Sequence, residues 1–167
     1  MILYLKQSID PGDILFYITD QLGHLCYEIK MQKHRFGKRL SIINTEQKEM
    51  ACINCIGFAK MLRCGILVKE AERLSLLCSF SSSEPLFKIS GQTWVFRGEV
   101  LRYSFDVVDV DRTVIFTHGR QWLPSTGNVY GVTVFQEKYV LESLCISTVI
   151  DTFSPGTENP VVITEMN

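Results

Sequence analysis

The stretch Glu137–Phe153, EKYVLESLCISTVIDTF, decides the fold. On a helical wheel at ~100° per residue, Tyr139, Val140, Leu141, Leu144, Cys145, Ile146, Val149, Ile150 and Phe153 leave only one narrow gap. Ser143, Ser147 and Asp151 fill that gap at i, i+4, i+8 spacing. A helix that is apolar nearly all round has to be surrounded, by protein or by lipid. Lipid is disfavoured, because the run is shorter than the ~20 residues a span needs and carries Glu142 inside it. A sheet closed around one helix is the economical solution.

The sequence upstream supplies such a sheet. Strand-like runs at Ile2–Gln7, Ile14–Thr19, Leu25–Met31, Leu40–Asn44 and Met50–Gly57 are separated by turn chemistry such as Asp10-Pro11-Gly12-Asp13. Met61–Val68, Leu74–Phe80, Leu86–Ile89, Trp94–Val100, Tyr103–Val108, Thr113–Gln121 and Val129–Phe135 continue the series. Phe58–Leu77 has some helical character, but its β-branched and cysteine-rich neighbours favour strands. Roughly eleven or twelve short, closely spaced strands indicate a sandwich or barrel. The expected fold is mainly β: an approximately twelve-stranded closed antiparallel barrel enclosing a hydrophobic C-terminal helix. The expected domain is a single unit over residues 1–153, with the helix at about 137–153 and a tail over 154–167.

A hairpin pattern recurs in one register. Ile18-x-Asp20-x-x-Gly23-x-x-x-Tyr27-x-Ile29 returns as Ile42-x-Asn44-x-x-Gln47-x-x-x-Ala51-x-Ile53, and again as Val107-x-Asp109-x-x-Arg112-x-x-x-Phe116-x-His118. Asp or Asn at the end of the first strand can bond the backbone downstream and so start the turn. Three copies point to a meander of similar hairpins. The tail carries Pro155, Gly156 and Pro160, and Val161–Thr164 is the part of it suited to pairing on an edge.

At 167 residues, with 46% hydrophobic and 21% charged residues, the chain reads as one soluble domain with a real core. A net charge of -1 gives no global pull toward nucleic acid, and no sequence-specific nucleic-acid contact is expected. The N-terminus lacks a basic start and a signal-peptide core. The six cysteines sit among Ile, Leu, Val and Met, and read as reduced core thiols of a cytoplasmic protein. Cys52 and Cys55 have the spacing of a redox or zinc half-site. In a strand, however, residues three apart face opposite sides, and no second pair completes a site. No metal or cofactor is expected.

Beside these hairpins stand Phe36-Gly37-Lys38-Arg39-Leu40, Ile89-x-Gly91-x-x-Trp94-x-Phe96-Arg97-Gly98 and the helix ending Val149-Ile150-Asp151. Together they give a chain that resembles the LURP-one-related family, part of the tubby C-terminal-like superfamily that also includes phospholipid scramblases. The resemblance covers residues 2–153 and rests on patterning. It implies a twelve-stranded barrel threaded by its C-terminal helix. The family's helix is usually richer in Leu, Ala and Ile, whereas this one has Glu142, Ser143, Ser147 and Thr148. Members mostly lack a defined biochemical activity, so the resemblance carries a fold more than a task.

Catalytic constellations are missing from the sequence. His24 lies beside a turn, His34 in a basic loop and His118 within a strand, and none accompanies a nucleophile elbow. No Walker loop, dinucleotide fingerprint, EF-hand loop or His-Glu-x-x-His occurs. Asp106, Asp109 and Asp111 cluster near a turn and are explained by turn initiation or by attraction of a cation. Trp122 is expected to pack over a barrel end rather than to stand exposed.

One segment stands out electrostatically. Lys30–Arg39, KMQKHRFGKR, holds Lys30, Lys33, Arg35, Lys38 and Arg39, and no acid, in a chain whose other 12 Lys and Arg face 18 Asp and Glu. Such a run is either a solvated hairpin loop or a contact for phosphate groups, with Phe36 available to insert or stack. Three functional classes follow. The first is a non-catalytic binding or scaffold domain that contacts phosphoinositides or other anionic lipid or phosphate groups, peripheral to a membrane. The second is a lipocalin-like carrier with an open cavity, which an all-round apolar helix disfavours. The third is a protein–protein interaction module with no lipid ligand. An enzyme is disfavoured by the missing constellations.

Overall fold

Period-two alternation sorts each strand into an inner and an outer face. Leu3 and Leu5, Phe16 and Ile18, Leu40 and Ile42, Leu74 and Leu76, and Phe105 and Val107 are all buried, while the residues between them are mostly more exposed. The structure is a computed structural model that describes residues 1–10, 12–58, 60–80, 86–123 and 127–154. Among them run twelve strands: β1 (Ile2–Gln7), β2 (Ile14–Thr19), β3 (Leu25–His34), β4 (Gly37–Asn44), β5 (Glu49–Phe58) and β6 (Met61–Val68) form the first half. β7 (Ala71–Ser79), β8 (Leu86–Ser90), β9 (Val95–Glu99), β10 (Ser104–Val108), β11 (Val114–Leu123) and β12 (Gly127–Val134) form the second. A 3-10 turn at Glu137–Tyr139 leads into the helix α1 (Val140–Phe153).

All twelve strands belong to one antiparallel sheet in the order β8-β7-β6-β5-β4-β3-β2-β1-β12-β11-β10-β9. The first strand joins the last, with Ile2 opposite Thr133 and Leu5 opposite Tyr130. The barrel is thus nearly closed. Its ladder stops between β8 and β9, where the Phe87 and Phe96 rings meet edge-on at 6.0 Å. Phe80 extends that contact on one side and Phe105 on the other, so side-chain packing spans the seam.

The repeated hairpins close with one hydrogen-bond pattern. Asp20, Asn44 and Asp109 each donate their N–H to the carbonyl four residues on, at 3.0, 3.0 and 2.9 Å. Each also accepts from the N–H three residues on, namely that of Gly23, Gln47 or Arg112. Those three residues adopt positive φ of 85, 62 and 70°. This is the three-residue loop with a bulge at its left-handed position. Asp20 Oδ1 accepts from the N–H of Leu22 and of His24, both at 2.9 Å, and Asn44 Oδ1 accepts from those of Glu46 and Lys48. In the third hairpin Asp111 takes over part of this work, accepting from the Thr113 N–H at 2.8 Å.

The helix α1 packs against β5, β6 and β7, and against β11 and β12 from the other part of the strand order. Leu144, Cys145, Ile146 and Val149 are fully buried, Ile150 and Val140 nearly so, and Leu141 is half-buried. Its polar residues are buried too, including Glu142, Ser143, Ser147, Thr148 and Asp151. Ser143 Oγ and Thr148 Oγ1 donate back to the carbonyls of Tyr139 and Leu144, both at 2.7 Å, which satisfies them within the helix. Trp94 covers the start of α1, edge-on to Tyr139 at 4.8 Å.

Trp122 departs from expectation: it is 68% exposed. It follows the exposed Arg120 and Gln121, where β11 runs on past the layer filled by the helix. The tail beyond Ser154, with Val161–Thr164, lies outside the described residues.

Candidate functional site

Antiparallel order places the β3–β4 and β5–β6 connections at the same end of the barrel, and the last turn of α1 arrives there as well. Lys30–Arg39 is a strand–turn–strand unit rather than a loop. β3 runs to His34, Arg35 and Phe36 form the turn, and β4 starts at Gly37. Gly37 has φ 144°, and a Cβ there would run into the Cys55 carbonyl of β5. Only glycine lets the hairpin tip lie this close to its neighbour.

The tip borders a cavity of about 430 Å³. Lys33, His34, Arg35, Phe36, Gly37 and Lys38 form one wall. Cys55, Ile56, Gly57, Leu62 and Phe153 form the apolar remainder. A second cavity, about 300 Å³, lies along the same tip beside Arg39 and Asn54. Lys33 and Lys38 are direct register partners, so two cations face one another across the strands. Like charges placed directly opposite one another repel, which favours negative charge at this tip. The Arg35 guanidinium stands 5.3 Å from the centre of the Phe36 ring, which is 74% exposed.

Of the five candidate cations, Lys33, Arg35 and Lys38 therefore line the mouth cavity. Arg39 points along the barrel wall, where it donates to Glu49 Oε1 at 2.7 Å while Ser41 donates to Glu49 Oε2 at 2.6 Å. Lys30 lies 3.9 Å from the Glu28 carboxylate. A larger wall cavity of about 580 Å³ mixes Arg39, Lys48 and Lys69 with Glu49 and Glu70. Its charges offset each other, so it lacks the one-sided potential of the mouth.

A second polar feature lies in the core. His118 Nε2 donates to Asp151 Oδ2 at 3.0 Å and lies 2.9 Å from Oδ1, with both side chains fully buried. Its Nδ1 faces the Tyr103 carbonyl at 3.2 Å. Both ring nitrogens thus meet acceptors, which fits a doubly protonated imidazolium. Burial works against that charge, but the Asp151 carboxylate and the two hydrogen bonds outweigh it and raise the His118 pKa. Burial pushes the Asp151 carboxyl up, and His118 partly restrains it. The Phe105 ring stacks on the imidazole at 4.7 Å and 7°, and Tyr130 at 5.5 Å and 27°. Burial also pushes the Tyr103 phenol up to about 12, helped by Tyr130 and Asp151. The pair joins α1 to β11 and has no opening to solvent, so it serves as a clamp. Sequence reading placed Asp151 in the helix's polar gap and His118 in a strand, but their separation of 33 residues hid the partnership.

The remaining candidates resolve locally. His24 bonds Asp20, and hydrogen bonds from His24 and Leu22 hold the Asp20 carboxyl below its ordinary range. Asp106 accepts from Arg97 at 2.7 Å, and Asp109 accepts from Thr93 and from the Val110 N–H. Cys55 belongs to the inner core and Cys52 to the wall cavity, on opposite sides of β5. Among the described residues no group of three His, Cys, Asp or Glu could hold a metal, and no helix is long and apolar enough to cross a membrane.

No family model matches the chain. It is similar to the uncharacterized protein YxjI of Bacillus subtilis, 24% identical over 149 residues that cover 89% of this chain and 91% of that protein. It is also similar to the X-ray structure of an Arabidopsis thaliana protein, AT5G01750, with a TM-score of 0.53. That match has 11% identity and covers 89% of this chain and 86% of the plant protein. The two share a fold.

Proposed function

We propose that this protein is a non-catalytic binding module of the LURP-one-related kind, whose barrel mouth takes a phosphate-bearing anion, namely the head group of an anionic lipid such as a phosphoinositide. The observation that carries this reading is the cavity of about 430 Å³ with Lys33, Arg35 and Lys38 on one wall and Phe153, Leu62 and Ile56 on the other. Its volume suits a small ligand. Charge-assisted hydrogen bonds from the cations would hold phosphate oxygens, and the exposed Phe36 would enter the interfacial layer beside them. The reading places residues 1–153 in one working unit, peripheral to a membrane in the cytoplasm. An open-lumen carrier fits poorly, because helix side chains occupy the interior.

Co-sedimentation with vesicles, with and without phosphoinositide, at low and physiological salt tests this. Binding should require the anionic lipid and weaken as salt shortens the Debye length toward ~8 Å. Changing Lys33, Arg35 and Lys38 together to glutamine should lower affinity about tenfold or more, equivalent to at least ~1.4 kcal/mol. Lys30→Gln and Arg39→Gln should change it little. Binding that survives the triple change sinks the site. Absence of binding to every vesicle favours a protein partner instead.

A further inference from the structure

Cys55 on β5 and Cys64 on β6 are direct register partners, and their Sγ atoms lie 2.8 Å apart. Both side chains point into the barrel and are almost wholly buried. Opposed residues of an antiparallel pair hold their Cβ atoms about 4.5–5.5 Å apart. A disulfide takes about 3.5–4.5 Å, so a slight local tightening brings the two sulfurs to bonding distance. Cys55 also lines the open mouth cavity, whereas Cys64 is fully buried. We propose that Cys55 and Cys64 form an oxidation site that closes reversibly into a cross-strand disulfide.

With hydrogen peroxide the chemistry balances within the site. The Cys55 sulfur attacks one peroxide oxygen, the O–O bond breaks, and the expelled hydroxide takes the Cys55 thiol proton and leaves as water, so that Cys55 becomes a sulfenic acid. The Cys64 sulfur then displaces the hydroxyl group from Cys55, the S–S bond forms, and the Cys64 proton departs with that hydroxyl as a second water. Two thiols lose two electrons, and one peroxide becomes two waters. Small oxidants reach Cys55 through the cavity, while the resolving thiol is already in place. Burial, and then Cys55 beside it, pushes the Cys64 thiol well up. Its attack should therefore quicken as pH rises. Cys52 cannot substitute, since it lies on the other face of β5. Cys78 and Cys145 share the core but have no direct register pairing with Cys55.

The test treats the full chain with hydrogen peroxide, alkylates the remaining thiols and maps tryptic peptides without reduction. The expected product is 2 Da lighter, links the peptide spanning 49–60 to that spanning 64–69, and reverts with dithiothreitol. The link should persist in Cys52→Ser and in Cys26→Ser, both outside the inner core, and vanish in Cys64→Ala. A link through any other pair overturns the proposal. So does full alkylation of Cys55 and Cys64 under peroxide that oxidises Cys26.

Discussion

The two ends of the barrel solve the same geometric problem differently. At one end, the turns after β2, β4 and β10 are closed by their own residues: Asp20, Asn44 and Asp109 bond the backbone of the loops they begin. At the other, the Arg35–Phe36 turn presents a cation and an exposed ring to solvent, and depends on Gly37 lying against the Cys55 carbonyl of the next strand. The first set is stabilised within a few residues of sequence. The second is positioned by packing against the neighbouring strand. Local self-sufficiency marks the scaffold here, and its lack marks the candidate site.

α1 runs between these ends, and breaking it should have the largest effect. Leu144→Asp removes about 1.5–3 kcal/mol of burial and adds several more for an unpaired buried carboxylate. Against a total stability of about 5–15 kcal/mol, the domain should lose its cooperative melting transition by circular dichroism. A parent-like melt would refute the enclosed helix.

The clamp at the mouth end of α1 should rank next. His118→Ala leaves Asp151 buried without its partner and should cost about 3–5 kcal/mol. A joint His118→Phe and Asp151→Leu change should recover most of that in chemical denaturation, because it removes both charges. The pH response has a definite sign. The His118 pKa is raised on folding, so its contribution is complete below the unfolded value of about 6.5 and is lost as pH climbs through the raised value. Asp151, also raised, acts in the same direction from about pH 3.9 upward. Melting temperature should therefore fall as pH rises above about 6.5, and the joint variant should flatten that fall.

The smallest effect lies in the self-closed turns. Gln47 and Arg112 hold the left-handed position that Gly23 fills without strain. Gln47→Gly and Arg112→Gly should each stabilise by up to about 1 kcal/mol, whereas Gly23→Ala should destabilise. Equal responses at the three positions would break the equivalence of the hairpins.

Much of the scaffold was legible because its signals are local. The all-round apolar face of α1 and the Asp-x-x-Gly type spacing of the hairpins each lie within one element, and the structure realises both. The extent of the basic segment was legible too, but not its internal division. Lys30 and Arg39 look like Lys33 and Lys38 in sequence, yet the latter two line the mouth cavity, while Lys30 lies beside Glu28 on its own strand and Arg39 turns to Glu49. Trp122 was misplaced for a similar reason, since nothing in β11 alone marks where the helix-filled layer stops.

The sequence by itself determined the strand periodicity, the turn chemistry and the need to enclose one helix, because each follows from spacing within a few residues. Only the tertiary structure decided that His118 meets Asp151, that Cys55 faces Cys64, and that Phe153 and Leu62 complete a cavity begun by Lys33 and Arg35. Those partners converge through strand register and barrel closure, and no short-range pattern carries the distance between them.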